Sequence, residues 1–331
     1  MAVTLGVALP HYIAGPSSAP SDQLVSAARS AEAHGFTTGW ISDHFFLPTE
    51  RYGLPATETV ALEAWTAMCA AAAATDTLRV GALVLCEAFR PAGILAKMAA
   101  TFDVLSAGRL ELGLGAGWHE EEYRRAGVSF GSPGERLAAL EDAAVILRGM
   151  LAGSPFTHEG AHHTVRDAWN APPPVQRPRP PLWIGGSGDR LLSLVARVGD
   201  GWNTAWRVNI DRYAERCAVL DRACESVGRD PATVRRSVGL YCLVGRDDAD
   251  VARQLDRLRS DLPAGALADP AWFAEDALVG TVDQVLDTVG RFQALGVKHV
   301  ILTPGPMPFS WPGEWWPDAV AELLMPALAG A

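Results

Sequence analysis

The chain has 331 residues, of which 49% are hydrophobic and 20% are charged, and its formal net charge is −10. This length and composition suffice for one large core or two modest ones. Acidic and basic residues are interspersed without a run of Lys or Arg, which argues against nucleic acid and against an anionic membrane as partners. We therefore expect a globular protein whose partner is a small-molecule substrate.

The start of the chain and its cysteines indicate the cellular compartment in which the protein is expected. No basic segment is followed by an apolar core and a cleavage site, so no secretory signal is predicted. The apolar run at 70–74 is too short to span a bilayer. The five cysteines are odd in number and lack metal-ligand spacing, and His162-His163 has no third ligand at useful spacing. These features predict reduced thiols in the cytoplasm and no metal site.

Strand and helix patterns alternate from end to end. Short, mostly apolar segments typical of strands cover residues 3–9, 38–42, 78–85, 109–114, 182–185, 201–204, 237–244 and 298–302. Helices are predicted between them, including 59–74, one opened by Pro91, two that begin with capping boxes at Ser132 and Thr281, and a last one over 315–328. The Pro-rich stretch at about 153–181 predicts an excursion with a hairpin around Glu159-Gly160, an insertion of the kind that often covers a site.

Eight short strands alternating with helices predict an α/β fold, a single (β/α)8 TIM barrel over residues 1–331 with an insertion after the fourth βα unit. A doubly wound open sheet is the alternative, but Leu9-Pro10-His11 follows the first strand, where such a sheet carries a glycine-rich fingerprint. In a barrel the chemistry lies at the carboxyl ends of the strands. Position alone then selects His11, Asp43, His44, Cys86, Glu87, Gly115 to His119, Gly185 to Gly188, Asn203 and Thr303.

Two of these strand-end segments also carry residue types with a clear chemical use. Asp43 and His44 provide a carboxylate and an imidazole, which suit a proton donor or acceptor. The segment Gly185-Gly186-Ser187-Gly188 opens a helix, so its free N–H groups and the helix dipole suit an anion such as phosphate. An ordinary turn is the alternative for each.

The glycines at 113, 115 and 117 predict a tight bend that lies close to a ligand. His119 follows as a further catalytic candidate. The three acids at 120–122 stand at a helix start, where we expect them to be solvated and favoured by the dipole. Six tryptophans suit either the wall of an apolar pocket or ordinary core packing, namely Trp118, Trp202, Trp206, Trp311, Trp315 and Trp316.

Several segments, spread over nearly the whole chain, occur in the same order as the motifs of a known protein family. They are Asp43-His44-Phe45, the run 81–85, Phe89-Arg90-Pro91 with Ala96-Lys97, the run 103–118, and the run 181–188 with Asp200-Gly201-Trp202-Asn203. Together these segments resemble the luciferase-like monooxygenase superfamily. More closely, they are similar to its deazaflavin (coenzyme F420) dependent oxidoreductase branch.

The resemblance implies a barrel with a flavin or deazaflavin at the strand ends, and commonly a homodimer. The ring would rest on a bulge after the third strand, often with a non-prolyl cis peptide, here near Leu83-Val84. It would lie beside Asp43 and His44, with its phosphate on the loop after the fifth strand. The implied cofactor-binding residues are Asp43, His44, Leu83, Val84, Cys86, Gly115, Ala116, Gly117, Trp118, Gly185, Gly186, Ser187 and Gly188.

Two departures from related proteins narrow the choice of cofactor and substrate. Bacterial luciferase has an arginine for the FMN phosphate in the loop after the fourth strand, where this chain reads Gly115-Ala116-Gly117, which disfavours FMN. The sugar-phosphate dehydrogenases of the deazaflavin branch have a tryptophan and a glutamate at the places of Pro48 and Trp118. A sugar phosphate is therefore not the expected substrate.

The leading hypothesis is hydride transfer between C5 of the deazaflavin and an organic substrate, in which an activated C=C or C=N bond is reduced. Oxidation of an alcohol stays open. We expect His44 to relay the proton, held by Asp43, with His119 or Glu87 as the alternative. The second hypothesis is a two-component, FMN-dependent monooxygenase that uses reduced flavin and O₂. A barrel that binds flavin without catalysis is the third.

Overall fold

Eight parallel strands form the centre of the fold in the computed structural model, which describes residues 3–13, 20–52, 58–260, 275–305 and 307–330. They are β1 (Thr4–Ala8), β2 (Thr38–Ile41), β3 (Arg79–Ala82), β4 (Leu110–Gly115), β5 (Leu182–Gly185), β6 (Gly201–Ala205), β7 (Arg235–Gly245) and β8 (Val297–Thr303). Each strand pairs with the next one, and β8 pairs with β1, so the sheet closes on itself. The predicted (β/α)8 barrel is confirmed.

Helices connect the strands. They are α1 (Pro20–Ala33), α2 (Ala64–Ala73), α3 (Ala92–Leu105), α4 (Glu120–Ala126), α5 (Pro133–Leu151), α6 (Asp189–Val198), α7 (Ile210–Ser226), α8 (Asp248–Ser260) and α9 (Val282–Ala294). A last helix runs from Trp315–Ala319 through a π turn at Val320–Leu324 into Met325–Gly330. Within the described ranges, no helix combines the length and the apolar character that crossing a membrane requires.

Two helices begin where the sequence places capping boxes. The Ser132 hydroxyl accepts a hydrogen bond from the Glu135 N–H at 3.3 Å, and the Glu135 carboxylate accepts one from the Ser132 N–H at 2.8 Å. Gln284 Oε1 accepts from the Thr281 N–H at 2.9 Å in the same way at α9. These bonds satisfy N–H groups that a helix start leaves without a partner.

The helix predicted over 59–74 begins later. Residues Glu58–Ala61 form a strand that pairs with Tyr12–Ile13 and with Phe46–Pro48. Helix α2 starts after Glu63, whose carboxylate accepts the N–H groups of Trp65 and Thr66 at 3.0 and 2.8 Å. The start was missed because glutamate is not among the residues that usually cap a helix.

A cluster of large side chains fills the amino-terminal end of the barrel. Trp183 Nε1 donates to Glu111 at 2.5 Å, and Glu111 forms an ion pair with Arg79 at 2.6 Å. Trp40 Nε1 donates to His299 Nε2 at 3.1 Å. Burial lowers the pKa of His299 to about 3, so its imidazole is neutral. The barrel is therefore packed solid below its carboxyl end.

The excursion at 153–181 contains the predicted hairpin, with strands Phe156–Glu159 and Thr164–Ala168. Asp142 of α5 fastens it, because its carboxylate accepts the N–H of His162 at 2.8 Å and contacts His158 Nε2 at 3.0 Å. The hairpin thus lies against the outside of the barrel.

Candidate active site

A cavity of about 550 Å³ opens at the carboxyl ends of the barrel strands. The sequence-selected residues that line it are Asp43, His44, Leu83, Val84, Cys86, Gly115, Ala116, Gly117, Trp118, Gly185, Gly186 and Asn203. The sequence-selected residues that lie outside the lining are His11, Glu87, His119, Ser187, Gly188 and Thr303. Most of the implied cofactor-binding set therefore meets around one cavity, whereas two catalytic candidates, Glu87 and His119, do not face it.

The floor of the cavity is a bulge between β3 and the short strand Leu85–Cys86. The peptide bond between Leu83 and Val84 is cis, as the resemblance implies. Val84 packs against strand ends that carry no side chain: a Cβ on Gly115 would lie 2.6 Å from Val84 Cγ2, and a Cβ on Gly185 would lie 2.9 Å from Val84 Cγ1. These glycines make room for the bulge, a role that the sequence pattern did not reveal.

Packing also requires a glycine at position 117. Its φ is +68°, and a Cβ there would lie 1.9 Å from the Tyr123 hydroxyl oxygen. That hydroxyl donates to the Ala116 carbonyl at 3.1 Å and lies 2.9 Å from Cys86 Sγ. Burial raises the pKa of Cys86 to about 12, so the cavity presents a neutral thiol.

Asp43 holds the bulge, and this corrects the expectation that it holds His44. Its carboxylate forms a bidentate ion pair with Arg90 at 2.7 and 3.0 Å, and it accepts the Cys86 N–H at 2.8 Å. Arg90 also pairs with Glu63. Burial opposes the Arg90 charge, but these two carboxylates outweigh it and raise the pKa of Arg90. Both Asp43 oxygens therefore fix the strand end below the cavity.

Glu122 is the residue that holds His44. Its Oε2 lies 2.9 Å from His44 Nδ1, and its Oε1 accepts the N–H groups of Phe45 at 2.5 Å and Phe46 at 3.1 Å. Glu122 is only 2% exposed. The expectation that the acids at 120–122 are solvated is therefore wrong for Glu122, because α4 turns this side chain inward.

The loop between β5 and α6 adjoins the bulge. The Gly186 N–H donates to the Asn203 carbonyl at 3.0 Å, and the Gly186 carbonyl accepts from Trp202 Nε1 at 2.6 Å, so β6 fixes the loop. A Cβ on Gly188 would meet nothing within 4 Å. The start of α6 is thus open to an anion, as helix starts commonly are.

Three of the remaining candidates, Glu87, His119 and His11, contact other side chains, whereas the buried Thr303 Oγ1 and His119 Nδ1 have no hydrogen-bond partner among the described residues. Glu87 is buried and pairs with His163 of the hairpin, and this hydrogen bond raises the pKa of His163. The cavity lining includes no residue of 153–181, so the hairpin supports the bulge from outside and does not cover the site. His119 stacks on Trp118 with ring centroids 5.1 Å apart. His11 lies 3.1 Å from the Ser42 hydroxyl, and burial lowers its pKa to about 4.

Aromatic residues that sequence reasoning did not assemble complete the lining. They are Tyr12, Tyr52, Tyr123, Trp206, Tyr241 and Phe309, together with Trp118. Of the six tryptophans considered, Trp118 and Trp206 line the cavity, while Trp202 and Trp316 are fully buried. A weak signal existed for Trp206, because it follows the end of a predicted strand.

Comparisons with known proteins indicate the family and agree with the fold. The chain is 29% identical over 295 residues to an F420-dependent hydroxymycolic acid dehydrogenase of Mycobacterium tuberculosis, covering 87% of this chain and 78% of that protein. It is 30% identical over 314 residues to an F420-dependent glucose-6-phosphate dehydrogenase of Microbacterium testaceum, covering 88% and 89%. The solved structure of an F420-dependent secondary alcohol dehydrogenase with an F420-acetone adduct superposes with a TM-score of 0.78 at 21% identity, covering 99% of each chain.

The family model described as luciferase-like monooxygenase matches residues 3–299. This range includes all eight barrel strands except the end of β8, and it includes the bulge, the His44–Glu122 pair and the loop before α6. The chain belongs to the luciferase-like monooxygenase family.

Proposed function

We propose that this chain is an F420-dependent oxidoreductase that transfers a hydride between C5 of the deazaflavin and a small organic substrate. The two relatives described above are F420-dependent dehydrogenases of similar length, which supports this cofactor. The observation that carries the proposal is the position of the His44–Glu122 pair on the same cavity as the Val84 bulge. An oriented proton-transfer group thus adjoins an apolar surface.

The residues present fit a deazaflavin. Val84 offers a branched apolar surface for a ring, and the glycines at 115 and 185 leave the neighbouring strand ends without side chains. The start of α6, with open space around Gly188, suits the phosphate. When bound, the deazaflavin supplies hydride-transfer chemistry, while the chain binds and orients it and handles the proton.

His44 handles that proton. Because Glu122 accepts from Nδ1, Nε2 is the nitrogen left for a substrate. In the reduction of an activated C=C or C=N bond, the imidazole starts protonated on both nitrogens, and Nε2 gives its proton to the atom that does not receive the hydride. In the oxidation of an alcohol, neutral Nε2 accepts the hydroxyl proton. We favour the reduction.

Titration of the purified protein with coenzyme F420 and, separately, with FMN tests the cofactor, with the fluorescence of each followed to saturation. Tighter binding of F420 is expected. Tighter binding of FMN, together with O₂ consumption in the presence of reduced flavin, would contradict the proposal and indicate a two-component monooxygenase. Binding of F420 without electron transfer to any acceptor tried would indicate a barrel that only binds the cofactor.

Replacement of His44 tests the proton relay. The His44→Ala variant should lose about 10²-fold or more in turnover while largely keeping its affinity for F420, because general acid–base catalysis contributes at that level. His162→Ala, at an exposed histidine of the hairpin, is the matched control and should keep wild-type turnover. Unchanged turnover of the His44 variant would remove this residue from the mechanism.

A further inference from the structure

Four aromatic side chains form one wall of the cavity, which we call the aromatic wall: Tyr12, Trp206, Tyr241 and Phe309. The Trp206 and Phe309 rings meet edge to face at 5.5 Å and 88°, and Trp206 lies 5.8 Å from Tyr241. These residues belong to or follow β6, β7, β8 and β1, whereas the bulge follows β3. In a barrel of eight strands β7 stands opposite β3, so the aromatic wall faces the bulge across the cavity.

The backbone of this wall adopts a conformation that bulky residues rarely take. Trp206 has φ +63° and Phe309 has φ +61°, both in the left-handed region. Arg207 beside them has φ +50°, so three of the six non-glycine residues with positive φ in the described chain line this one cavity. Such conformations persist where the surroundings impose them, and they concentrate at ligand-binding sites.

The charges of the described lining are already paired. Asp43 is paired with Arg90, Glu122 with His44, and Arg207 with Glu275 at 3.1 Å. Burial raises the pKa of Tyr12 and of Tyr241, so both phenols are neutral. An ionised substrate would lose its water here and would have to displace one of these partners to gain a counter-charge, which is unfavourable.

We propose that the substrate is a neutral, flat, conjugated molecule that lies between the bulge side and the aromatic wall, with Trp206 and Phe309 as specificity-determining residues. The inference rests on the proposed function for the reaction itself. A bound, reduced deazaflavin would supply the hydride to one atom of the conjugated double bond, and His44 would give its Nε2 proton to the other, so the double bond would become single. Flat faces suit the edge-to-face and stacked contacts that aromatic side chains make.

Equilibrium dialysis tests the inference by binding alone, with no reaction needed. The affinity of the purified protein is measured for three probes that differ in charge and in shape. The probes are chromone, which is flat and conjugated, chromone carboxylate, which adds a negative charge, and decalone, which is neutral but puckered. Chromone should bind at least about tenfold more tightly than either of the others. Equal affinity for all three would overturn the inference.

Two variants distinguish the contribution of the flat Trp206 ring to probe binding from that of its size. Trp206→Leu should weaken chromone binding by about tenfold and leave decalone binding unchanged, whereas Trp206→Tyr should keep most of the affinity because it retains a flat ring. Trp169→Leu, at a tryptophan that is 57% exposed and outside the lining, is the control and should bind as wild type. Equal losses in the Leu and Tyr variants would overturn the assignment.

The F420 titration distinguishes the two failures. Binding of F420 without a preference for chromone contradicts only the substrate class. Preference for chromone without F420 binding contradicts only the proposed function. Retained F420 affinity in Trp206→Leu confirms that this variant is folded.

Discussion

At the scale of single residues, Glu122 controls the orientation of His44. Its two oxygens bind the imidazole Nδ1 and the N–H groups of the next two residues, so ring and backbone are fixed by the same carboxylate. The hydrogen bond at one imidazole nitrogen decides which nitrogen carries the proton. We therefore expect Glu122 to act in the reaction as a positioning residue, through His44.

The Glu122→Gln variant should lose at least about tenfold in turnover at unchanged F420 affinity. The reason is the loss of an acceptor and of a charge: if the new amide oxygen accepts the N–H groups of Phe45 and Phe46, its NH₂ group faces Nδ1. The protonated imidazole, from which Nε2 gives its proton, then has neither an acceptor for its Nδ1 proton nor a counter-charge. Glu121→Gln is the matched control, because Glu121 pairs with Arg124 and Arg125 on the exposed side of α4. Wild-type turnover in Glu122→Gln, measured under saturating cofactor, would show that His44 orients itself.

Adjacent residues were the hardest to assign from sequence. Asp43 and His44 are neighbours, and the chain sends their side chains to different partners, Arg90 and Glu122. The identity of both residues as part of the site was predictable from their place after a strand. Which carboxylate reaches which base depends on side-chain direction, and no sequence spacing encodes a contact between residues 44 and 122.

At the scale of elements, the bulge and the glycines of β4 and β5 form one packed unit. Local signals were sufficient for the strands and for the capping boxes, because both depend on neighbouring residues. The glycines were read as an approach to a ligand, whereas the structure shows that Gly115 and Gly185 also admit Val84. This contact joins residues from three strands and has no local signal.

A double-mutant cycle measures this contact. Gly115→Ala should destabilise the protein by about 1–3 kcal/mol, because the new methyl group would overlap Val84 Cγ2. Val84→Ala removes that atom, so the double variant should be less unstable than the sum of the two single variants by about 1 kcal/mol or more. Denaturant unfolding of all four proteins gives the comparison, and strict additivity would contradict the packing argument.

At the scale of the whole molecule, the alternation of eight strands and helices was enough to predict the barrel, and the barrel places chemistry at one end. The aromatic wall was not predictable, because its members come from four separate parts of the chain and only closure brings them together. The excursion was located correctly, but the face of the barrel on which it lies depends on its contacts with Asp142 and Glu87, which belong to other elements.

Two buried histidines make the stability of the whole barrel sensitive to acid. Burial lowers the pKa of His299 to about 3 and of His11 to about 4, from an ordinary value of 6.5. Below pH 6.5 the unfolded chain therefore binds protons that the folded chain does not, and stability falls as pH falls, by about 1.4 kcal/mol per pH unit for each histidine.

Replacement of His299 tests this dependence. Urea unfolding between pH 7 and about pH 4.5 should show a shallower loss of stability for His299→Gln than for wild type, because glutamine can keep the contacts with Trp40 and Thr4 without titrating. An identical slope for the two proteins would mean that His299 does not contribute to acid sensitivity.

The packing of Val84 against Gly115 and Gly185 also constrains how this sequence can evolve. A side chain at position 115 or 185 would overlap the Val84 methyl groups, so it requires a smaller residue at position 84. We expect these three positions to change together among homologues, as one inherited unit drawn from three strands. A lineage that replaces one of them alone would have to remodel the floor of the cavity.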